Sequence, residues 1–170
     1  MSTYPSLQKS PYRIRFSDCD PLGHLNNARY IDYFLNARED HLREGYALQL
    51  SDFLEKGSYW VVTGHEILYR RPVVYNEVVS IASALIGLEE HTLWVEMQMW
   101  NESETELKAL LWTRFTVVDT KTGRKSKHTD AFMAFAKDIV YGEGLLHQGL
   151  TARMQTLAQE GVSRVGPLKV

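Results

Sequence analysis

The chain has very little cysteine. Cys19 is the single cysteine among 170 residues. One thiol cannot form an intramolecular disulfide, and it supplies too few thiolates for a structural zinc or iron–sulfur site, which is typical of a protein kept in a reducing compartment. The first eleven residues also lack a charged start followed by an apolar core. We therefore expect a cytoplasmic protein.

Long apolar runs and a strong net charge are missing too. No stretch approaches the ~18 consecutive apolar residues of a membrane-spanning helix, so we expect no membrane partner. The formal charge is −2 and the isoelectric point is near 6.3, which argues against nucleic acid as the main partner. With 44% hydrophobic and 24% charged residues, we expect residues 1–170 to form one globular domain.

Several catalytic motifs are absent as well. No two of the six histidines have the spacing of a zincin, so the sequence predicts no metal site. There is no Gly-x-Ser-x-Gly elbow and no phosphate-binding Gly-x-x-x-x-Gly-Lys motif. A serine hydrolase and a nucleotide-dependent enzyme therefore have no support in the sequence.

The periodicity of the apolar residues predicts one central helix near the N-terminus. Residues 12–17 alternate in polarity and predict a strand, after a loose segment over residues 1–11. Residues 28–37 are apolar around most of a helical circumference, and this helix should continue to Arg43 and end near Gly45. A helix with so narrow a polar stripe must be surrounded by other elements.

Four strand-like segments follow this helix. They cover residues 59–70, 77–85, 92–100 and 107–118, and the links between the last three are short enough for hairpins. This order predicts an α+β fold in which an antiparallel sheet curls around the helix. The core should span about residues 12–125, and an extension over about 126–170 should form helices at 131–140 and 145–159.

Polar side chains gather just before the predicted helix. Asp20, His24, Asn26 and Asn27 lie between the first strand and the helix, and either asparagine could cap the helix. A helix start offers unpaired N–H groups and the positive end of the dipole, which suit an oxygen that becomes negative during acyl transfer. A nearby carboxylate could attack or could activate water. The alternative is that Asp20 only closes the Asp-Pro-x-Gly turn.

The same stretch resembles a known family. From Asp18 to Phe34 the chain is similar to the Asp-x-Asp-x-x-Gly-His-x-Asn-Asn-x-x-Tyr-x-x-Tyr-Phe signature of hotdog-fold thioesterases, specifically the 4-hydroxybenzoyl-CoA thioesterase-like group. A looser similarity extends over roughly residues 12–125. The resemblance implies a five- or six-stranded antiparallel sheet wrapped around the central helix. It also implies a homodimer paired edge to edge, or a dimer of such dimers, with active sites at the subunit interface.

The resemblance further implies hydrolysis of acyl-CoA or acyl-carrier thioesters without a metal or organic cofactor, CoA being part of the substrate. Asp20 then corresponds to the catalytic carboxylate, as nucleophile or general base, and Asp18 to a structural acid. The backbone amide of about Asn27 corresponds to the group that polarises the thioester carbonyl. His24 matches a histidine that positions water or substrate in related acyl-carrier-protein thioesterases.

Further residues are expected to contact the substrate. Within the signature these are Gly23, Asn26 and Tyr30; His65 on its strand, Arg70 and Arg71 complete the set. The 4-hydroxybenzoyl-CoA enzymes hold CoA phosphates with a basic run, whereas the comparable stretch here contains two glutamates. CoA could instead be held by Arg70, Arg71 or Lys125, or the carrier could be a protein.

Two other functions remain open at this stage. The chain could be a non-catalytic module that binds acyl-CoA or another acyl ligand, although Asp20 argues against it. The same fold could also hydrate an enoyl thioester, a reaction that usually accompanies a different, histidine-based motif. The sequence leaves open the acyl group, the carrier and the choice between dimer and tetramer.

Overall fold

A computed structural model describes residues 4–165, and its centre is one five-stranded antiparallel sheet. The strands are β1 (Leu7–Arg13), β2 (Ser58–Tyr69), β3 (Val78–Leu88), β4 (Thr92–Asn101) and β5 (Leu107–Asp119). Their order across the sheet is β1-β3-β4-β5-β2, so β1 and β2 form the two edges. The predicted hairpins β3-β4 and β4-β5 are present.

The longest helix lies on one face of this sheet. The helices are α1 (Tyr30–Tyr46), α2 (Leu50–Glu55), α3 (Asp130–Ile139), α4 (Leu145–Gln148) and α5 (Leu150–Arg164). α1 packs against β1, β3 and β4, and buries Tyr33, Phe34 and Ala37. Their spacing of three and four residues places them on one side of the helix, which is why this side faces the sheet. The predicted α+β hotdog architecture is confirmed.

The last two helices, α4 and α5, cover the opposite face of the sheet. Glu96 of β4 is 1% exposed and pairs with Arg153 of α5, whose Nη2 lies 2.9 Å from Glu96 Oε1. The indole N–H of Trp112 donates to the other carboxylate oxygen at 2.9 Å. A buried carboxylate needs such partners. This side of β4, polar in sequence, is therefore interior because α5 packs on it.

Several predicted boundaries are wrong. β1 begins at Leu7, inside the segment predicted to be loose, and it ends at Arg13. Phe16, expected on the strand, lies in a 3-10 turn with its side chain 79% exposed. α1 continues one residue past Gly45, and Ala47, with a φ of 53°, takes the left-handed position that the prediction gave to glycine.

The predicted helix over residues 145–159 is two helices. Gly149, with a φ of 79° and a ψ of 154°, separates α4 from α5, a conformation that glycine adopts without strain. α5 then continues to Arg164, beyond the predicted end of the helix at residue 159. Residues 166–170 lie outside the described part of the chain.

A buried histidine makes stability depend on pH. His41 of α1 lies 2.7 Å from Ser83 Oγ and 3.0 Å from Ser10 Oγ through its two ring nitrogens. Burial, aided by the charge of Arg38, lowers the pKa of His41 from 6.5 to about 4. The unfolded chain therefore binds a proton at a higher pH than the folded one does, so stability falls as the pH decreases through this window.

We expect the free energy of unfolding to fall by about 3 kcal/mol between about pH 6.5 and about pH 4 because of His41 alone. Urea unfolding across this range measures it. His41→Gln keeps hydrogen-bonding atoms without a titrating group, so its slope should be shallower. Equal slopes for the two proteins would contradict the assignment.

Candidate active site

The polar stretch before α1 folds into a tight loop. Cys19 and Leu25 form an antiparallel bridge, and the Asp20 N–H donates to the His24 carbonyl at 2.8 Å. The Gly23 N–H donates back to the Asp20 carbonyl at 2.9 Å. Gly23 has a φ of 77°, which its missing side chain permits. The loop therefore holds Asp20 and His24 against each other through the main chain.

One Asp20 oxygen closes this loop and the other is free. Oδ1 accepts from the Leu22 N–H at 2.9 Å and from the His24 N–H at 3.0 Å. Oδ2 has no hydrogen-bond partner within residues 4–165. The turn-closing role considered above is thus present in the structure, and it leaves one carboxylate oxygen for chemistry.

Unlike Asp20, Asp18 has a side-chain partner for each of its carboxylate oxygens. Its Oδ2 accepts from the Tyr33 hydroxyl at 2.8 Å, and that hydroxyl accepts from the Arg15 N–H at 3.0 Å. The guanidinium of Arg29 lies 4.0 Å from Asp18 Oδ1. Burial raises the pKa of Tyr33, so its hydroxyl remains a donor. These contacts fit a scaffold role, because they join the loop to the first turn of α1.

The start of the helix presents a free amide. Asn26 Oδ1 accepts from the Ala28 N–H at 2.9 Å, so Asn26 is the cap and not Asn27. A 3-10 turn over Asn27–Arg29 then leads into α1. In the part of the chain that the structure describes, the Asn27 N–H has no hydrogen-bond partner. It is an unpaired donor at the positive end of a 17-residue helix.

The segment just before β3 hydrogen-bonds to this loop. The Leu25 N–H donates to the Val73 carbonyl, and the Tyr75 N–H donates to the Gly23 carbonyl, each at 2.8 Å. Glu77 accepts from the Val74 N–H at 3.0 Å and lies 3.1 Å from the ammonium of Lys108. Sequence reasoning missed Glu77 and Lys108. A lysine inside the apolar strand 107–118 was the available signal.

Tyr30, expected at the substrate, belongs to the core beneath the site. It is 3% exposed, and burial raises its pKa to about 12. Its ring meets the ring of Tyr69 edge-on at a centroid distance of 4.9 Å. The Tyr69 hydroxyl in turn donates to the Asn27 carbonyl at 3.2 Å. Tyr30 and Tyr69 thus fix the position of the helix start.

Three further predicted residues lie on or just after the edge strand β2, whose last residue, Tyr69, contacts Asn27 at the start of the helix. His65 of β2 is exposed, with Nδ1 2.9 Å from Thr113 Oγ1, and burial of its ring lowers its pKa. Arg70 and Arg71 are exposed at the end of β2, and Arg71 lies 3.9 Å from Glu106. The His24 side chain makes no hydrogen bond with any residue from Tyr4 to Val165.

A cavity of about 380 Å³ lies between α1, α2, α3 and the sheet. This volume falls in the range of small-molecule sites. Its lining is mainly apolar and includes Leu35, Leu42, Phe53, Trp60, Phe132 and Phe135. None of the residues predicted for the site lines it. Sequence reasoning missed the cavity because its walls come from distant segments, each of which looks like ordinary core.

Between residues 4 and 165 no three His, Cys, Asp or Glu side chains are grouped as a metal site would require. Over the same residues, no helix is both long enough and apolar enough to cross a bilayer.

The fold and the loop-to-helix junction match a known class of enzymes. Residues 14–136 match the model of the thioesterase-like superfamily, and the chain belongs to this superfamily. The prediction of a hotdog-fold thioesterase is thereby confirmed.

A named relative is similar in sequence, and two solved structures are similar in fold. The long-chain acyl-CoA thioesterase FadM of Escherichia coli K12 is 29% identical over 110 residues, which is 65% of this chain and 82% of FadM. The structure of the DHNA-CoA thioesterase of Staphylococcus aureus superposes with a TM-score of 0.70 at 17% identity, covering 91% of this chain and 95% of that one. The 1,4-dihydroxy-2-naphthoyl-CoA thioesterase of Synechocystis gives 0.70 at 12% identity, covering 80% and 99%.

Proposed function

We propose that the protein hydrolyses acyl-CoA thioesters at the junction between the Asp20 loop and the start of α1. One observation carries the proposal: a carboxylate oxygen of Asp20 and the N–H of Asn27 are both unpaired in residues 4–165, although the main-chain N–H groups of Asp20, Gly23, His24 and Ala28 around them are hydrogen-bonded. Membership of the thioesterase-like superfamily supports it, as does the similarity to a long-chain acyl-CoA thioesterase.

The chemistry needs only these two groups and water. Asp20 Oδ2 takes a proton from water while the water oxygen bonds to the thioester carbon, and the carbonyl oxygen becomes negative. The Asn27 N–H donates to that oxygen. The C–S bond then breaks, and the CoA sulfur takes the proton from Asp20, which leaves the carboxylic acid. In the alternative route Asp20 attacks the thioester carbon and the C–S bond breaks, which releases the CoA thiolate. Water then hydrolyses the resulting anhydride to the carboxylic acid and the Asp20 carboxylate, and the proton set free goes to the thiolate.

The other residues have supporting roles in this proposal. His24 positions water or substrate, while Gly23, Asn26 and Tyr30 shape the junction around the thioester. His65, exposed on β2 outside the cavity lining, contacts the substrate. Arg70 and Arg71 bind CoA phosphates, since both are exposed and only Arg71 lies within 4 Å of a carboxylate of residues 4–165. This arrangement favours CoA over a carrier protein and requires no cofactor.

A substrate panel tests the function. We expect the protein to release free thiol from acyl-CoAs and to prefer some chain lengths over others, because the cavity has a fixed volume. Benzoyl-type thioesters and acyl-carrier-protein thioesters belong in the same panel. Saturable binding of acyl-CoA without turnover of any member would instead support the acyl-binding module, which the cavity also favours.

We also propose a cytoplasmic homodimer. On one face of the sheet, α1 packs over strands β1, β3 and β4. The edge strand β2, in contrast, exposes Val62 and Tyr69. An unpaired edge with apolar side chains is a natural interface between copies. Light scattering should give the mass of two chains, or of four if two dimers associate. The mass of one chain would contradict the proposal.

A further inference from the structure

Arg38 is a buried cation at the wall of the cavity. It lies in the middle of α1, it is 8% exposed, and it belongs to the lining. Its Nη1 donates to Ser83 Oγ at 3.3 Å, and its Cζ lies 5.8 Å from the centroid of the Tyr46 ring. Both of these neighbours are neutral.

No carboxylate neutralises this guanidinium. Within residues 4–165 no acidic group lies within 4 Å of it. Asp40, two residues further along α1, instead accepts from Arg43 and from Tyr12. Glu39 lines the cavity too, but it is exposed to solvent and forms no ion pair with Arg38. The positive charge next to the cavity is therefore uncompensated by the protein.

Such a charge discriminates between ligands. An arginine has five N–H donors, and burying a charge without a partner is costly. While the cavity holds water, water can satisfy the donors that Ser83 and Tyr46 leave free. A fully apolar chain would displace that water without accepting a hydrogen bond from the guanidinium. A carboxylate would instead replace the water with a two-point, charge-assisted contact.

We propose that the cavity binds acyl groups that carry a carboxylate at the end remote from the thioester, and that Arg38 binds this carboxylate. At a rise of about 1.5 Å per residue, α1 places Arg38 about 12 Å along the helix axis from Tyr30, and the Asn27–Arg29 turn adds to this distance, so the ligand is a long acyl chain. The assignment of the thioester end rests on the proposed function. The assignment of the carboxylate end does not.

Binding without turnover tests this assignment. The probes are two CoA thioethers of equal chain length, one ending in methyl and one in carboxylate; neither has a carbonyl at sulfur, so neither can be hydrolysed. By isothermal titration calorimetry, wild type should bind the carboxylate probe roughly tenfold to a hundredfold more tightly than the methyl probe. Equal affinities, or tighter binding of the methyl probe, would overturn the proposal.

Variants of α1 locate the effect. Arg38→Met should abolish the preference, and Arg38→Lys should keep part of it because the charge remains without the two-point geometry. Arg43→Met is the matched control, since Arg43 lies on the same helix outside the cavity lining, and it should keep the full preference. A preference that survives in Arg38→Met would also overturn the proposal.

Folding and catalysis are measured separately. Thermal unfolding of each variant shows whether it is folded, and if Arg38→Met is not, the wild-type comparison and Arg38→Lys still decide. Thiol release from the corresponding thioesters reports on the proposed function. A carboxylate preference without any thiol release would contradict hydrolysis and leave the role of Arg38 standing.

Discussion

Asp20→Asn is expected to lower kcat for acyl-CoA hydrolysis roughly a hundredfold to ten-thousandfold, the range typical of a lost general base. The substitution is informative because Asp20 has two functions on two oxygens. The asparagine side chain would keep an amide oxygen that can accept from the Leu22 and His24 N–H groups, as Asp20 Oδ1 does now. Only the charge and the second carboxylate oxygen would be lost.

Two further variants separate the catalytic role of Asp20 from its structural role in the loop. Asp20→Ala removes both functions, so it should lose activity and also loosen the loop, which a lower unfolding temperature would report. Asp18→Asn is the matched control in the same loop, because an amide oxygen can still accept from the Tyr33 hydroxyl. It should retain most of its activity. Wild-type thiol release by Asp20→Asn would refute the assignment of Asp20.

Local patterns in the sequence were sufficient for the architecture and for the loop. The apolar circumference of residues 28–37 predicted a buried central helix, and alternation predicted the strands that surround it. Asn26 was one of two predicted caps, and its side chain does bond the Ala28 N–H. These features depend on residues that are neighbours in sequence, where spacing determines geometry.

Features formed by segments that are distant in sequence could not be predicted from local patterns. Glu96 and Arg153 are separated by 57 residues, and nothing in the local pattern of either segment indicates that they pair. The cavity has the same origin, since α1, α2, α3 and the sheet each contribute part of its wall. Tyr30 was expected at the substrate because it belongs to the motif, whereas its size and apolar ring place it in the core beneath the site.

In the proposed mechanism a single main-chain group, the Asn27 N–H, donates to the oxygen of the thioester. Proline at this position removes that N–H together with the Asn27 side chain. The first residue of a helical turn tolerates proline. The preceding residue, Asn26, has a φ of −64° and a ψ of 134°, which is the extended conformation that a following proline requires. Within residues 4–165 no hydrogen bond uses this N–H, so none would be lost.

The most direct measurement is therefore kcat for acyl-CoA hydrolysis by Asn27→Pro beside Asn27→Ala, with the unfolding temperature of each. Both variants lose the side chain, but only proline loses the donor. We predict that Asn27→Ala keeps nearly wild-type kcat and that Asn27→Pro, folded and equally stable, loses roughly a hundredfold to a thousandfold. Equal kcat values for the two variants would show that the start of α1 does not stabilise the reacting oxygen.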